Sequence, residues 1–213
     1  MNNGVLFGTL LVASYLLGGI PTSYIFGKIF KHIDIRNFGS GNVGATNALR
    51  VLGVKMGVTT LILDIGKGFV AVYLSKLMMQ KYEIGNMELI LIFVGMAAIT
   101  GHIFSIYLGF KGGKGVATSA GVFLALIPMA FGIAFAIFFI VVALSKYVSL
   151  GSILAAVTLV AGELIINFKN GFSQKGYLVF TIIIALFIII KHKSNIKRLM
   201  AGNENKISFK GKK

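Results

Sequence analysis

Between Gly101 and Gly121 the chain reads GHIFSIYLGFKGGKGVATSAG, which sets one histidine and two lysines around a run of glycines. Glycines allow backbone N–H groups to approach an anion, and lysines supply countercharge. A helix expected to begin at about Val116 would add its positive dipole end. That combination is suited to holding phosphate, with His102, Lys111, Gly112, Gly113, Lys114, Gly115 and Thr118 as the candidate contacts. The plainer alternatives are a tight turn between two apolar segments and a packing histidine. The Walker A pattern cannot be laid over GFKGGKGVAT, so an ATPase reading fails here.

A second stretch of the same character, FGSGNVGATNALR, runs from Phe38 to Arg50. Ser40, Gly41, Asn42, Asn47 and Arg50 place small hydrogen-bonding groups beside a guanidinium, whose planar fork suits phosphate. An interfacial loop with a lipid-facing arginine is the competing reading. In KYVSLGSI, from Lys146, Ser149 and Ser152 fall at a helix start, where N-capping competes with a binding role. In KHKSNIKR, from Lys191, His192 and Asn195 are three residues apart and would share a helix face. Asp64 with Lys67, and Glu163 with Asn167, have the spacing of intrahelical pairs that lower the cost of polar groups inside a membrane.

The elements that position these residues are membrane spans. Of 213 residues, 56% are hydrophobic and 13% charged, and the mean hydropathy is +0.88. That is too apolar for a soluble domain of this length. Apolar runs predict spans at roughly 4–27, 56–77, 87–108, 115–127, 128–145, 150–167 and 176–190. Residues 115–145 as one helix would be about 46 Å long, against a hydrocarbon core of ~30 Å, and Pro128 offers a break. Charge decides for the break. With seven spans and the N-terminus outside, sixteen basic residues lie on the cytoplasmic side and four outside; merging the two segments would export the basic tail.

The expected architecture is therefore an all-α integral membrane protein, one domain over residues 1–213, with seven transmembrane helices and a basic tail from about 191. Its glycine-rich loops would lie on the cytoplasmic face. The first apolar run reads as a retained span, since it has no basic n-region or cleavage pattern.

The net charge of +15 fits orientation and contact with anionic lipid head groups, above all for the outer tail, Lys206 to Lys213. Nucleic acid is not an expected partner, because no basic stripe interleaved with aromatics extends beyond the membrane. Cysteine is absent, which removes thiolate metal sites and cysteine nucleophiles. Only six acids are present, which argues against a bound divalent metal.

Taken together, SGNVGATNALRVLG, GHIFSIYLGFKGGKGVAT, KYVSLGSI and KHKSNIKRLMAGNENK, spread over residues 39–206, resemble the bacterial glycerol-3-phosphate acyltransferase family that uses acyl phosphate as donor. The resemblance implies a seven-helix enzyme of the bacterial plasma (inner) membrane, with its C-terminus and active site cytoplasmic and no cofactor. It would move a fatty acyl group from acyl phosphate to the 1-hydroxyl of glycerol 3-phosphate, giving lysophosphatidic acid and phosphate. It also implies substrate and phosphate contacts at Ser40, Arg50, Lys111, Ser149, His192 and Asn195, with Lys114 and the Gly112–Gly115 loop around a second phosphate. For the hydroxyl proton it implies substrate assistance, in which a phosphate takes it.

The residues agree with that chemistry. Acyl phosphate is a mixed anhydride with phosphate as leaving group, so positioning and anion stabilisation dominate. The His-x-x-x-x-Asp pair of acyl-CoA-dependent glycerolipid acyltransferases is missing, since Asn37, Tyr107 and Lys197 stand five residues after His32, His102 and His192. The rivals are a transporter for a phosphorylated solute, which calls for anion sites near mid-membrane and internal repeats, and a non-catalytic lipid-binding scaffold. Oligomeric state is not readable from the chain.

Overall fold

The computed structural model describes residues 3–82 and 86–207, and the regular structure among them is entirely helical. Ten α-helices follow in order: α1 (Asn3–Gly19), α2 (Thr22–Lys31), α3 (Ala45–Leu52), α4 (Val54–Tyr82), α5 (Met87–Ile103), α6 (Val116–Leu126), α7 (Pro128–Ser145), α8 (Val148–Lys169), α9 (Lys175–Lys191) and α10 (Lys193–Met200). The chain forms two compact units, one from the N-terminus to Leu126 and one beginning at Ile127.

Four helices, α4, α5 with its following turn, α7 and α8, are long and apolar enough to cross a membrane, and the bent pairs α1–α2 and α9–α10 pass the same test as pairs. The seventh apolar segment is α6, whose 11 residues reach only about 16 Å, half a hydrocarbon core. Length alone thus supports four to six spans and leaves α6 short of a full crossing. The expected break at Pro128 is present, with proline at the first position of α7, where its missing N–H leaves nothing unsatisfied.

The first apolar run, expected as one span over 4–27, is instead interrupted. Helix α1 ends at Gly19, and α2 leaves at 41°. The cause is Pro21, which cannot donate to the preceding turn. The carbonyls released there are satisfied from other elements, as Ser105 Oγ donates to Gly19 O at 2.6 Å and Lys67 Nζ donates to Ile20 O at 3.0 Å.

Close helix crossings in the first unit rest on glycine. A Cβ on Gly18 would lie 2.0 Å from Ala98 O and one on Gly101 2.1 Å from Tyr15 O, which presses α1 onto α5. On Gly68 and Gly121 it would lie 2.1 Å from Thr118 O and 1.9 Å from Ile65 O, which does the same for α4 and α6. Small residues let backbones approach where no hydrophobic force drives helices together. In the second unit, α7 packs on α8, with Gly151 against Phe138 and Val142 and Gly162 against Ala130. The remaining faces of α7, including Met129, Ile133, Phe139 and Leu144, are apolar and exposed, as a lipid-facing helix requires.

Candidate active site

The first glycine-rich stretch is a short loop that runs into a helix, α3, which the sequence reading treated as loop throughout. Gly39 and Gly41 take φ of 62° and 71°, left-handed values that favour glycine. Asn47, on the first turn of α3, braces the loop from beneath. Its Nδ2 donates to Ile35 O and Phe38 O at 3.3 and 3.1 Å, and its Oδ1 accepts the Ser40 N–H at 2.8 Å. Buried to 1% exposure, Asn47 shapes the loop rather than offering its amide to a ligand. Asn42 plays a related part, its Oδ1 accepting the Gly44 N–H at 2.9 Å just before α3. Of the candidate residues here, Ser40 and Gly41, on the loop, and Arg50, in the last turn of α3, are exposed.

Ahead of this loop, Asp34 caps a single 3₁₀ turn and binds Arg36 through Oδ2 to Nη2 at 2.6 Å. The hydrogen bond from Arg36 outweighs burial and holds the Asp34 carboxyl at about 2. Sequence reading passed over this staple because both residues look like ordinary loop charges.

The second glycine-rich stretch turns back onto the end of α5. The N–H groups of Gly112 and Gly113 donate to Ile103 O and His102 O, each at 3.0 Å, so these two amides are committed to the turn rather than aimed at an anion. Their lack of a side chain is needed for a different reason. A Cβ on Gly112 would meet His102 O at 2.0 Å, and one on Gly113 would meet His102 Nε2 at 2.2 Å. Gly115, at φ 85°, leads into α6, and its carbonyl accepts the Ser119 N–H at 2.8 Å. The N–H groups that open α6 have no preceding turn to donate to, as at any helix start. Lys111 is exposed, Lys114 is half-buried, and Thr118 is buried on the first turn of α6.

His102 lies under this turn, 7% exposed, with Nδ1 4.0 Å from Asp64 Oδ1. Asp64 also accepts from Thr22 Oγ1 at 3.1 Å and pairs with Lys67 at 2.8 Å. The pair expected at i, i+3 is therefore real, and it reaches further than the spacing shows, joining the α1–α2 break, α4 and α5. His102 supports the glycine turn from below.

The two glycine-rich stretches meet through a hydrophobic cluster. Ile35, Val43, Ala48 and Leu52 of the first pack with Leu108, from the turn just before Lys111. Ser23 Oγ adds a hydrogen bond to Val43 O. One apolar cluster thus holds the Arg50 helix against the Lys111 turn.

In the second unit the N-cap of α8 is Tyr147, without a side-chain cap bond, so Ser149 is not a capping residue. Its Oγ donates to Glu204 Oε1 at 2.9 Å. Asn195 Nδ2 donates to the same oxygen at 2.6 Å and Arg198 Nε to Oε2 at 2.6 Å. Burial pushes the Glu204 carboxyl up, but the three donors and the Arg198 charge together leave it below the ordinary glutamate value. The stretch after α10 is a strap that folds back on the start of α8, where the Ile207 N–H donates to Lys146 O at 2.8 Å and Lys206 Nζ lies 5.6 Å from the Tyr147 ring centre. Sequence reading missed Glu204 as the hub, since nothing in its neighbours announces Ser149, 55 residues earlier. Of the outer basic tail, residues 208–213 lie outside the described residues.

His192 closes α9, buried, with Nδ1 2.8 Å from Ile188 O. A carbonyl only accepts, so Nδ1 carries the hydrogen and a neutral ring keeps its lone pair on Nε2. No group of three or more potential metal ligands occurs among the described residues.

These features define a multi-pass membrane protein whose glycine-rich stretches carry the exposed cations Arg50 and Lys111. A sequence profile of the family described as glycerol-3-phosphate acyltransferase matches residues 8–202. The chain belongs to that family. It is 48% identical over 196 residues to the glycerol-3-phosphate acyltransferase of Trichlorobacter lovleyi, covering 92% of this chain and 95% of the relative. To that of Fusobacterium nucleatum subsp. nucleatum it is 46% identical over 205 residues, covering 95% and 99%. Two crystal structures of PlsY (YgiH), an integral membrane glycerol 3-phosphate acyltransferase, share the fold. Its glycerol 3-phosphate form matches with a TM-score of 0.82 at 37% identity, over 95% of this chain and 96% of that one. The lysophosphatidic acid form matches at 0.79 and 35% over the same shares.

Proposed function

We propose that this acyltransferase uses acyl phosphate as donor and the 1-hydroxyl of glycerol 3-phosphate as acceptor, giving lysophosphatidic acid and phosphate. The glycerol oxygen attacks the acyl carbon, the bond to the phosphate oxygen breaks with its electron pair leaving on phosphate, and the hydroxyl proton passes to a phosphate oxygen. Both substrates carry phosphate, and the observation that carries the reading is the pairing of the Arg50 helix with the Lys111 turn on one hydrophobic cluster. Arg50 and Lys111 hold anionic oxygens as charge-assisted donors, and the α6 opening with Lys114 and Gly115 stabilises charge on the leaving phosphate. The motif resemblance assigns further substrate contacts to Ser40, Ser149, His192 and Asn195. The close pairing of His102 and the glycine turn keeps that helix end in place.

The whole chain serves this one reaction from the bacterial inner membrane, with the N-terminus outside and the loops cytoplasmic. A nucleotide-bearing donor such as acyl-CoA would need an extramembrane surface for its adenosine bisphosphate, and the loops here are short. Transport of a phosphorylated solute is disfavoured by membership of an acyltransferase family.

The test is phosphate release by purified protein given acyl phosphate and glycerol 3-phosphate, with lysophosphatidic acid measured in parallel. Acyl-CoA and acyl carrier protein should be inert at comparable concentration. Efficient transfer from acyl-CoA without acyl phosphate would sink the donor assignment.

A further inference from the structure

We propose that the turn before Lys111 is a membrane anchor, with the Phe110 ring set into the lipid interface at the end of α5 so that Lys111 is held at the level of the phospholipid head groups. That Lys111 acts there on substrate rests on the proposed function; the anchor itself does not.

Helix α5 has 17 residues and reaches about 25 Å, which leaves ~5 Å of a ~30 Å hydrocarbon core to the residues that follow it. Those residues are apolar and face outward. Phe104, Ile106, Tyr107 and Phe110 are all exposed, in a turn that carries no charge before Lys111. The turn is also tied to the end of α1. Tyr15 Oη donates to Phe104 O and Ser105 Oγ to Gly19 O, each at 2.6 Å, and a Cβ on Gly19 would lie 3.3 Å from the Tyr107 ring. Fixed to the ends of two helices, these side chains cannot withdraw from their surroundings. Continuity with α5 makes those surroundings lipid, because apolar area of this extent is costly in water.

The backbone supports the same assignment. Phe110 takes φ 64°, a left-handed value that a bulky residue adopts at a cost and glycine without one. Its N–H closes the turn on Ser105 O at 2.8 Å, so the turn fixes this conformation and the ring does not. At 60% exposure, the ring gains little packing within the protein to offset that cost. Contact with lipid offsets it from outside. Aromatic side chains favour the membrane interface, and a lysine just beyond them lays its stem along the apolar surface with its ammonium among the head groups.

The chain has no tryptophan, so Phe110→Trp introduces a single indole that reports its own surroundings. The protein is reconstituted in bilayers of phospholipid brominated in the upper part of the acyl chains. Its emission should be strongly quenched there relative to unbrominated lipid, and iodide in the water should quench it far less than it quenches free tryptophan. Free access of iodide without quenching by the brominated lipid would overturn the inference. Shielding from both would overturn it as well, since protein, such as a second copy of the chain, would then cover the patch. Tyr107→Trp, on the same turn, should give the same pattern and covers the case in which the first variant does not fold. Phe110→Gly separates anchoring from folding: it relieves the left-handed backbone, so the unfolding midpoint should hold or rise by about 2–4 °C, while kcat/KM in bilayers should fall roughly 10-fold or more as the Lys111 turn loses its fixed depth. Native kcat/KM in folded Phe110→Gly protein would overturn the proposal. Native activity in Lys111→Ala would instead fail the proposed function and leave the anchor, read by quenching, in place.

Discussion

Lys67→Met tests the buried charged cluster beneath the glycine turn. The substitution keeps length and apolar stem but removes the cation 2.8 Å from Asp64 and the donor 3.0 Å from Ile20 O. With side-chain exposures of 6% for Lys67 and 2% for Asp64, water cannot replace what is lost. Asp64 would keep one hydroxyl donor, Thr22 at 3.1 Å, and His102 stands off at 4.0 Å. Breaking a buried pair by removing one partner costs about 3–5 kcal/mol, chiefly because the survivor is an uncompensated buried charge. Asp64→Asn should be milder, since Lys67 still donates to Ile20 O. The double variant Asp64→Asn, Lys67→Met carries no buried charge and should recover at least about 2 kcal/mol relative to the sum of the single changes. The assay is unfolding of the purified protein in detergent, followed by helical signal, as a double-mutant cycle. Strictly additive effects, or a Lys67→Met protein as stable as the native one, would refute the argument that the two charges hold each other in the membrane.

Arg50→Ala and Lys111→Ala should each reduce kcat/KM by roughly 30- to 1000-fold, about 2–4 kcal/mol of transition-state stabilisation, with Arg50→Lys a partial rescue because a point charge lacks the bidentate fork. Near-native turnover of folded Arg50→Ala protein would take the first loop out of the site. Acid should loosen the strap: a carboxyl whose folded value is depressed contributes stability that is fully present above the unfolded value, 4.5, and is lost as pH falls through the lower folded one. Glu204→Gln should flatten that acid limb of a stability-versus-pH curve, and an unchanged limb would count against the three-donor hub. Membrane sidedness can be read by introduced cysteines at exposed positions, with Ser40 and Ser194 protected from impermeant reagent outside intact cells and Asn86 labelled. Labelling of Ser194 together with Asn86, with Ser40 still protected, would mean that the half-length helix α6 does not cross.

Helix ends inside the apolar runs were readable where one residue has one local consequence. The break before Pro128 and the start of α6 at Val116 both fall where sequence placed them. So do the Asp64–Lys67 and Glu163–Asn167 pairs, the latter with Asn167 Nδ2 donating to Glu163 Oε1 at 2.8 Å, because helical spacing alone brings such side chains together. Pro21 carried a similar signal. It was masked by the apolar residues on both sides, and hydropathy averaged over a window does not register one missing N–H.

What the sequence determined by itself was therefore the membrane class, the positions of the apolar segments and the motifs that place the chain in its family. Those are properties of composition and local periodicity. Tertiary structure decided what individual polar groups do. The amides of Gly112 and Gly113 bond back to α5, Asn47 braces a loop, Leu108 joins the two glycine-rich stretches, and Glu204 collects Ser149, Asn195 and Arg198. Each of these depends on which distant donor or surface reaches a group first, and in a low-dielectric interior an unmet polar atom is costly enough that such pairings dictate its role. No local window contains that information, because the partner of Ser149 stands 55 residues away and is chosen by the fold.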